Sequence, residues 1–249
     1  MEKLKILAIG FVYNEIEFIK FKHKWSVDQD IDLYIIDNMS SDGTWEYLQK
    51  NKIKSHRVDT NNTFDLRILQ NEVIKTLNKI KPDWVIYHGA DLFFFTKDGL
   101  RFDIQKANDE GYDGISLIHI EMMNTGELRT SNKNIFEVYK YGLIQPKLNM
   151  IMKYNPNLKI MGDNMSCVNP KEIDLGLLVN YGMTKSKNER VETLERRKKA
   201  WKNGLKQGYG KHYVTANENN WQWDKKVCKD INSTKYSFFL DKMINYGKN

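Results

Sequence analysis

The chain has 249 residues and a mass of 29.4 kDa, near the upper limit for one hydrophobic core, so a single domain is the expectation and two small ones the alternative. A hydrophobic fraction of 41% beside 29% charged residues and only four prolines excludes a disordered or collagen-like chain. The net charge of +7, from 39 basic and 32 acidic residues, calls for an anionic partner without choosing among nucleic acid, phospholipid and nucleotide phosphates.

The first apolar run, residues 6–13, is stopped by Asn14-Glu15 before it reaches the length of most signal-peptide cores, and no run approaches the roughly 18 residues that span a bilayer. Cys167 and Cys228 lie far apart with no CxxC, which excludes a disulfide framework and a structural zinc site. These features point to a cytoplasmic chain, with peripheral contact to an anionic membrane left open.

In chain order, residues 4–11 read as a strand. Asn14, with Glu17 three residues on, reads as an N-cap and capping-box partner for a helix to about Val27, with Ile16, Phe18 and Ile19 buried. Residues 31–36 form a second strand ending at Asp37. The polar turn Asn38-Met39-Ser40-Ser41-Asp42-Gly43 then leads into a short helix carrying Trp45, Tyr47 and Leu48. A weak third strand, 54–58, precedes a helix over 64–77 with Leu66, Leu69, Val73 and Leu77 at helical spacing.

Pro82-Asp83 ends that helix. A buried strand over 84–87 runs into His88-Gly89-Ala90-Asp91, an apolar run follows over 92–95, and residues 114–120 read as another central strand. Alternating strands and amphipathic helices are the mark of an α/β fold with a mainly parallel central sheet. The carboxyl third differs: residues 188–207 read as a basic helix with Val191, Leu194, Trp201 and Leu205 on one face and Gly208 and Gly210 as stops.

In open α/β sheets ligands bind at the carboxyl ends of strands, so polar residues placed there carry the most functional weight. Three such segments occur: Tyr13-Asn14-Glu15, the run from Asp37 to Thr44, and His88-Gly89-Ala90-Asp91. Each taken alone is what capping and turn geometry favour at any strand–helix junction.

In this order, they resemble the nucleotide-sugar-binding half of the GT-A glycosyltransferases, most closely the family 2 type. Ile35-Ile36-Asp37-Asn38-Met39-Ser40-Ser41-Asp42-Gly43-Thr44 carries the most specific part, a hydrophobic–Asp–Asn/Asp–x–Ser–x–Asp–Gly–Thr pattern. Asn14-Glu15 matches the family's Asn-Glu after the first strand, and residues 83–91 stand where a strand leads to the Asp-x-Asp metal motif. The resemblance covers residues 4–125 well. It extends loosely to Leu178-Val179-Asn180-Tyr181-Gly182 and Lys185-Ser186, where Asn180 replaces the family's histidine.

The resemblance implies a GT-A type, Rossmann-like domain over 1–249, with 1–125 binding the nucleotide sugar, and 126–249 supplying the acceptor site and closing helices. It implies transfer of a hexose-type residue from a nucleotide diphosphate sugar to a glycan or lipid-linked hydroxyl acceptor, as in polysaccharide biosynthesis. The Asp37 carboxylate would accept a hydrogen from the base, and Asp42 with Gly43 would shape the pocket near the ribose. Tyr13, Asn14, Glu15, Asn38, Ser40, His88 and Ala90 are further donor-site candidates, as are Arg67 and Asn71, four apart on one helix face.

A divalent cation, Mg²⁺ or Mn²⁺, serves the diphosphate in most of the family. Here, the motif reads Gly89-Ala90-Asp91-Leu92, so Asp91 is the surviving metal ligand, with His88 as an assistant. Lys185, Arg190 and Arg197 are the alternative clamp on the diphosphate. For an inverting reaction the general base is Asp163 ahead of Glu121.

Trp201, Tyr209, Tyr213, Trp221 and Trp223 would stack on acceptor sugars or face a membrane. Loss of the paired aspartates leaves a catalytically impaired nucleotide-sugar-binding module as the second reading. A nucleotidyltransferase lacks support because Gly10-Phe11-Val12-Tyr13-Asn14-Glu15 has no Gly-rich, Arg-containing loop. Nucleic acid accounts only for the charge and aromatics and is not expected as a partner.

Overall fold

The structure, a computed structural model, describes residues 3–61, 65–126, 135–161, 164–184, 195 and 228–247. Two compact units are distinguished. The first comprises Met1–Val58, Leu69–His119 and Gln145–Val179; the second comprises Asp59–Ile68, Ile120–Ile144 and Asn180–Asn249.

The first unit opens with β1 (Ile6–Val12), α1 (Ile16–Asp28), β2 (Asp32–Asp37), α2 (Thr44–Lys50), β3 (Lys54–Arg57), α3 (Leu66–Ile80) and β4 (Trp84–Tyr87). It continues through β5 (Leu92–Thr96), α4 (Leu100–Asp109), β6 (Gly114–Met122), α5 (Ile135–Val138), β7 (Tyr141–Lys153), β8 (Lys159–Met161), β9 (Asn164–Ser166) and β10 (Glu172–Asn180), some of which run into the second unit. Among the described residues one sheet runs in the order β3-β2-β1-β4-β7-β6-β10-β5, and β8 pairs with β9 in a small hairpin.

The β3–β2, β2–β1 and β1–β4 pairings are parallel, whereas β7 joins β4 antiparallel, so the sheet is mixed. With its flanking helices, this is the α/β arrangement consistent with a GT-A type fold. The parallel half reads as near-continuous apolar sequence because it is covered on both faces: Ile6, Leu7, Ala8 and Ile9 of β1, and all of β4, are buried. β3, with Lys54 and Arg57 at its ends, occupies the edge, where charge discourages further pairing.

Gly10 lets β1 approach β4: a Cβ there would run into the His88 carbonyl. β6, expected as a central strand, lies between β7 and β10. α4 was not evident from the sequence; it buries Leu100, Ile104 and Ala107 at helical spacing.

In the second unit, β11 (Lys229–Asp230) pairs antiparallel with Tyr141 and Gly142 at the start of β7. Phe136 and Tyr181 pack edge to face with centroids 4.8 Å apart, and the terminal helix Leu240–Gly247 buries Leu240 and Met243. Apart from Glu195, the basic stretch 188–207 lies outside the described residues, as do Trp201, Tyr209, Tyr213, Trp221 and Trp223. No described helix is long and apolar enough to cross a membrane.

Candidate functional site

The parallel register sets Val12, Asp37 and Arg57 side by side at the carboxyl ends of β1, β2 and β3. Asp37 is fully buried, at 0% exposure, and its Oδ2 accepts from the Ser40 backbone N–H at 3.1 Å and from Arg57 Nε at 2.9 Å. Arg57 also donates through Nη2 to the Ser40 carbonyl at 2.6 Å, and its guanidinium lies 5.1 Å from the centroid of the Trp45 ring. The other oxygen, Asp37 Oδ1, is buried and has no hydrogen-bond partner among the described residues. An unmet buried acceptor is costly.

The loop after β2 is laced to the loop after β1. Ser40 Oγ accepts from the Asn14 N–H at 2.9 Å, Thr44 Oγ1 from the Glu15 N–H at 3.2 Å, and Asp42 Oδ2 from the Ile16 N–H at 3.0 Å. Asn14 Oδ1 returns the contact by accepting from the Ser41 N–H at 2.8 Å, and Asp42 Oδ1 accepts from the Thr44 N–H and hydroxyl.

The capping differs from the sequence expectation. Asn14 does not cap α1 through its side chain: it sits in the left-handed region at φ 53, and Glu15 is the N-cap residue. Side chains of the next loop instead meet the N–H groups of Asn14, of the N-cap residue Glu15 and of Ile16, the first residue of α1. Gly43, at φ 94, supplies the left-handed turn into α2.

At the end of β4, His88 is 2% exposed. Its Nδ1 lies 3.0 Å from the Gly89 carbonyl, and its Nε2 is buried with no partner among the described residues. Burial, assisted by the charge of Lys22, pushes the His88 pKa well below its ordinary value. Asp91 follows in a half-buried position, and Ala90 is buried. Beneath this turn lies Lys22 of α1, fully buried, its ammonium donating to the Leu92 carbonyl.

Among the described residues, no group of three His, Cys, Asp or Glu side chains is placed to hold a metal ion. A Cβ added at Gly89 would stand 2.9 Å from Asp91 Oδ1, the movable end of that side chain. Among the described residues, the donors at this turn are Asp91 and the His88 ring.

The remaining candidates are spread over the chain. Tyr13 and Glu15 are half-buried, and Asn38 is buried beside Asp37, its N–H donating to the Val12 carbonyl. Arg67 and Asn71 are exposed and fall in different units; Arg67 pairs with Asp65 at 3.6 Å. Glu121 is half-buried near the end of β6, in the second unit, and Asn180 Oδ1 accepts from the Gly182 N–H at 2.7 Å. Asp163, Lys185, Arg190 and Arg197 lie outside the described residues.

The sequence reading missed two residues that organise the site. Lys22 falls among Phe18, Ile19, Trp25 and Ser26 on the buried face of α1, so its signal was a lysine on an apolar stripe. Arg57 sits on a strand too polar to stand out, and only the β2–β3 register places it beside Asp37.

No protein-family model matches the chain, and no curated protein matches it in sequence. Solved structures similar to it include Staphylococcus aureus TarS 1–349, with 18% identity and TM-score 0.37 over 54% of this chain and 40% of that one; TarS 1–349 is also known in complex with UDP and with UDP-GlcNAc. Glucosyl-3-phosphoglycerate synthase from Mycobacterium tuberculosis matches at 15% identity and TM-score 0.32, over 49% of this chain and 45% of that one. A nucleotide-diphospho-sugar transferase from Desulfovibrio desulfuricans matches at 16% identity and TM-score 0.31, over 47% and 59%. The chain thus spans less than two thirds of the length of each.

Proposed function

We propose that this chain is a glycosyltransferase that takes a nucleotide diphosphate sugar as donor and transfers its sugar to a hydroxyl of a glycan or lipid-linked acceptor. The observation that carries this reading is Asp37: its Oδ2 is saturated by Arg57 and Ser40 while its Oδ1 is buried and unmet. A carboxylate oxygen held this way is an acceptor for one ring or amino N–H, the recognition a nucleotide base requires. Its position at the end of β2, next to the loop after β1, is where an α/β sheet binds ligands.

In this reading Asn14, Ser40, Asp42 and Thr44 hold the two loops together and Asp37 reads the base. Tyr13, Asn38, Ala90 and Asp91 line the donor side, and Arg67, Asn71, Lys185, Arg190 and Arg197 supply charge and hydrogen bonds to the rest of the donor. The reaction inverts the anomeric centre, with Asp163 as general base ahead of Glu121. The acceptor lies in a polysaccharide or on a lipid carrier at an anionic membrane surface, which the charge of +7 favours.

The test is calorimetric titration with UDP, GDP, CDP and TDP and their sugars, on wild type and Asp37→Asn, followed by product analysis with hydroxyl acceptors. One nucleotide bound by wild type and lost in Asp37→Asn supports the reading. No nucleotide bound under any condition refutes it, and binding without turnover on any sugar nucleotide favours a binding module instead.

A further inference from the structure

Arg57 engages the Asp37 carboxylate through one oxygen only. Its Nε donates to Oδ2 at 2.9 Å, the Ser40 N–H donates to the same Oδ2 at 3.1 Å, and Oδ1 has no hydrogen-bond partner among the described residues. Each carboxylate oxygen offers two lone-pair directions, so two donors saturate Oδ2 and leave the accepting capacity of the group on Oδ1. Both donors are held in place from elsewhere. Arg57 Nη2 donates to the Ser40 carbonyl at 2.6 Å and its guanidinium lies 5.1 Å from the Trp45 ring centroid, while Ser40 Oγ accepts from the Asn14 N–H at 2.9 Å. The fully buried side chain therefore presents a fixed, one-sided acceptor.

The pairing edges of the bases differ in what they bring to such a group. Guanine has two parallel N–H donors, at N1 and N2, spaced to meet both oxygens of a carboxylate. Here the second would be set against the Arg57 and Ser40 N–H groups, donor against donor, and would be buried unpaired. Cytosine and adenine carry a bare ring nitrogen at the centre of the edge, which faces Oδ1 as acceptor against acceptor. Uracil and thymine carry a single N–H at the centre with a carbonyl on each side, so the one donor meets the one open oxygen and nothing opposes Arg57.

We propose that Arg57 is a positioning residue that decides which base the site takes: by occupying Oδ2 it reduces Asp37 to a single acceptor and restricts the donor to the diphosphates of an imide pyrimidine, uracil or thymine. This rests on the donor-site reading above. Two changes of preference follow from the same geometry. Arg57→Met frees a lone pair of Oδ2 and admits the second donor of guanine. Asp37→Asn has its orientation imposed by Arg57 and Ser40, which are both donors: the amide oxygen takes the Oδ2 place and the NH₂ group the Oδ1 place. The open position then donates, which suits the bare N3 of cytosine.

The test is calorimetric titration of the full chain, below the thermal midpoint of each variant, with UDP, TDP, GDP and CDP and with the N3-methylated form of the preferred pyrimidine diphosphate. Wild type is expected to bind UDP or TDP at least about tenfold tighter than GDP and CDP, and to lose at least about tenfold on N3 methylation, the scale of one charge-assisted hydrogen bond. UDP against TDP separates the two pyrimidines.

In Arg57→Met the affinity ratio of the preferred pyrimidine diphosphate to GDP is expected to fall at least about tenfold, a change of preference that lost stability alone does not produce. Asp37→Asn is expected to bind CDP more tightly than UDP. An unchanged ratio in Arg57→Met overturns the proposal, as does a wild type that prefers GDP or CDP or ignores N3 methylation; each of these leaves the transferase reading standing. Absence of binding by every diphosphate in wild type refutes that reading and this proposal with it. If a variant does not fold, the wild-type preference and the N3-methyl comparison decide by themselves.

Discussion

Removing the Arg57 side chain tests whether the Asp37 site is built as described. Arg57→Met keeps the aliphatic stem and deletes two hydrogen bonds, from Nε to Asp37 at 2.9 Å and from Nη2 to the Ser40 carbonyl at 2.6 Å, together with the guanidinium over Trp45. Charge-assisted bonds of this kind contribute about 1.5–3 kcal/mol each, and breaking a buried pair from one side costs about 3–5 kcal/mol because the other charge is stranded. The Arg57 side chain is 32% exposed while that of Asp37 is 0% exposed, so water screens the arginine end and the low end of that range applies, about 3 kcal/mol.

For a chain of this size that corresponds to a fall in thermal midpoint of about 6–12 °C. Urea or thermal unfolding of Arg57→Met, Asp37→Asn and the double variant measures it. Asparagine keeps an acceptor for the Ser40 N–H without a buried charge, so the double variant is expected to lose less than the sum of the singles by about 1.5 kcal/mol or more. A loss below about 0.5 kcal/mol in Arg57→Met with no coupling would refute the reasoning, because an ordinary surface arginine behaves that way.

Asp42→Ala removes the acceptor for the Ile16 N–H and for the Thr44 N–H and hydroxyl, and is expected to cost about 1–2 kcal/mol by urea unfolding, with Asp42→Asn intermediate. Equal stability of wild type and Asp42→Ala would show that the lacing of the two loops is incidental. Gly10→Ala drives a Cβ into the His88 carbonyl and so forces β1 and β4 apart; more than about 3 kcal/mol, or no soluble protein, is expected, and a tolerated alanine contradicts the close approach. The pH dependence of stability follows from His88, which burial and then the Lys22 charge keep neutral in the folded chain. The unfolded chain takes up that proton as pH falls through about 6.5 and the folded chain does not, so stability drops below that pH by up to about 1.4 kcal/mol per unit until the folded pKa is reached. Melting curves from pH 7.5 to 5 should flatten in His88→Gln, leaving the smaller slope of His23 and His119, whose pKa values burial also lowers; identical slopes in wild type and variant would exclude His88 as the cause.

Much of this organisation is local and therefore legible in the chain. The strands over β1, β2 and β4 announce themselves because burial on both faces demands unbroken apolar runs, and α3 because Leu69, Val73 and Leu77 must share one face. The segment from Asp37 to Thr44 is legible because a strand end, the Asx turn of Asp42 and a left-handed glycine each restrict the residue type on the spot. The sequence alone thus places Asp37 and Asp91 at strand ends.

What these residues do there depends on neighbours distant in the chain, and only the tertiary structure supplies them. Asn14 looks like a cap, yet the N–H groups of Asn14, Glu15 and Ile16 are met by Ser40, Thr44 and Asp42, some 26 to 29 residues on, because the parallel pairing of β1 with β2 sets the two loops together. Arg57 becomes the partner of Asp37 only through the β2–β3 register. A charge on a helix normally faces water; packing α1 against β5 buries Lys22 with its ammonium on the Leu92 carbonyl instead. The cost of burying a charge depends on which opposite charge lies within a few ångströms, and that distance is a property of the folded chain.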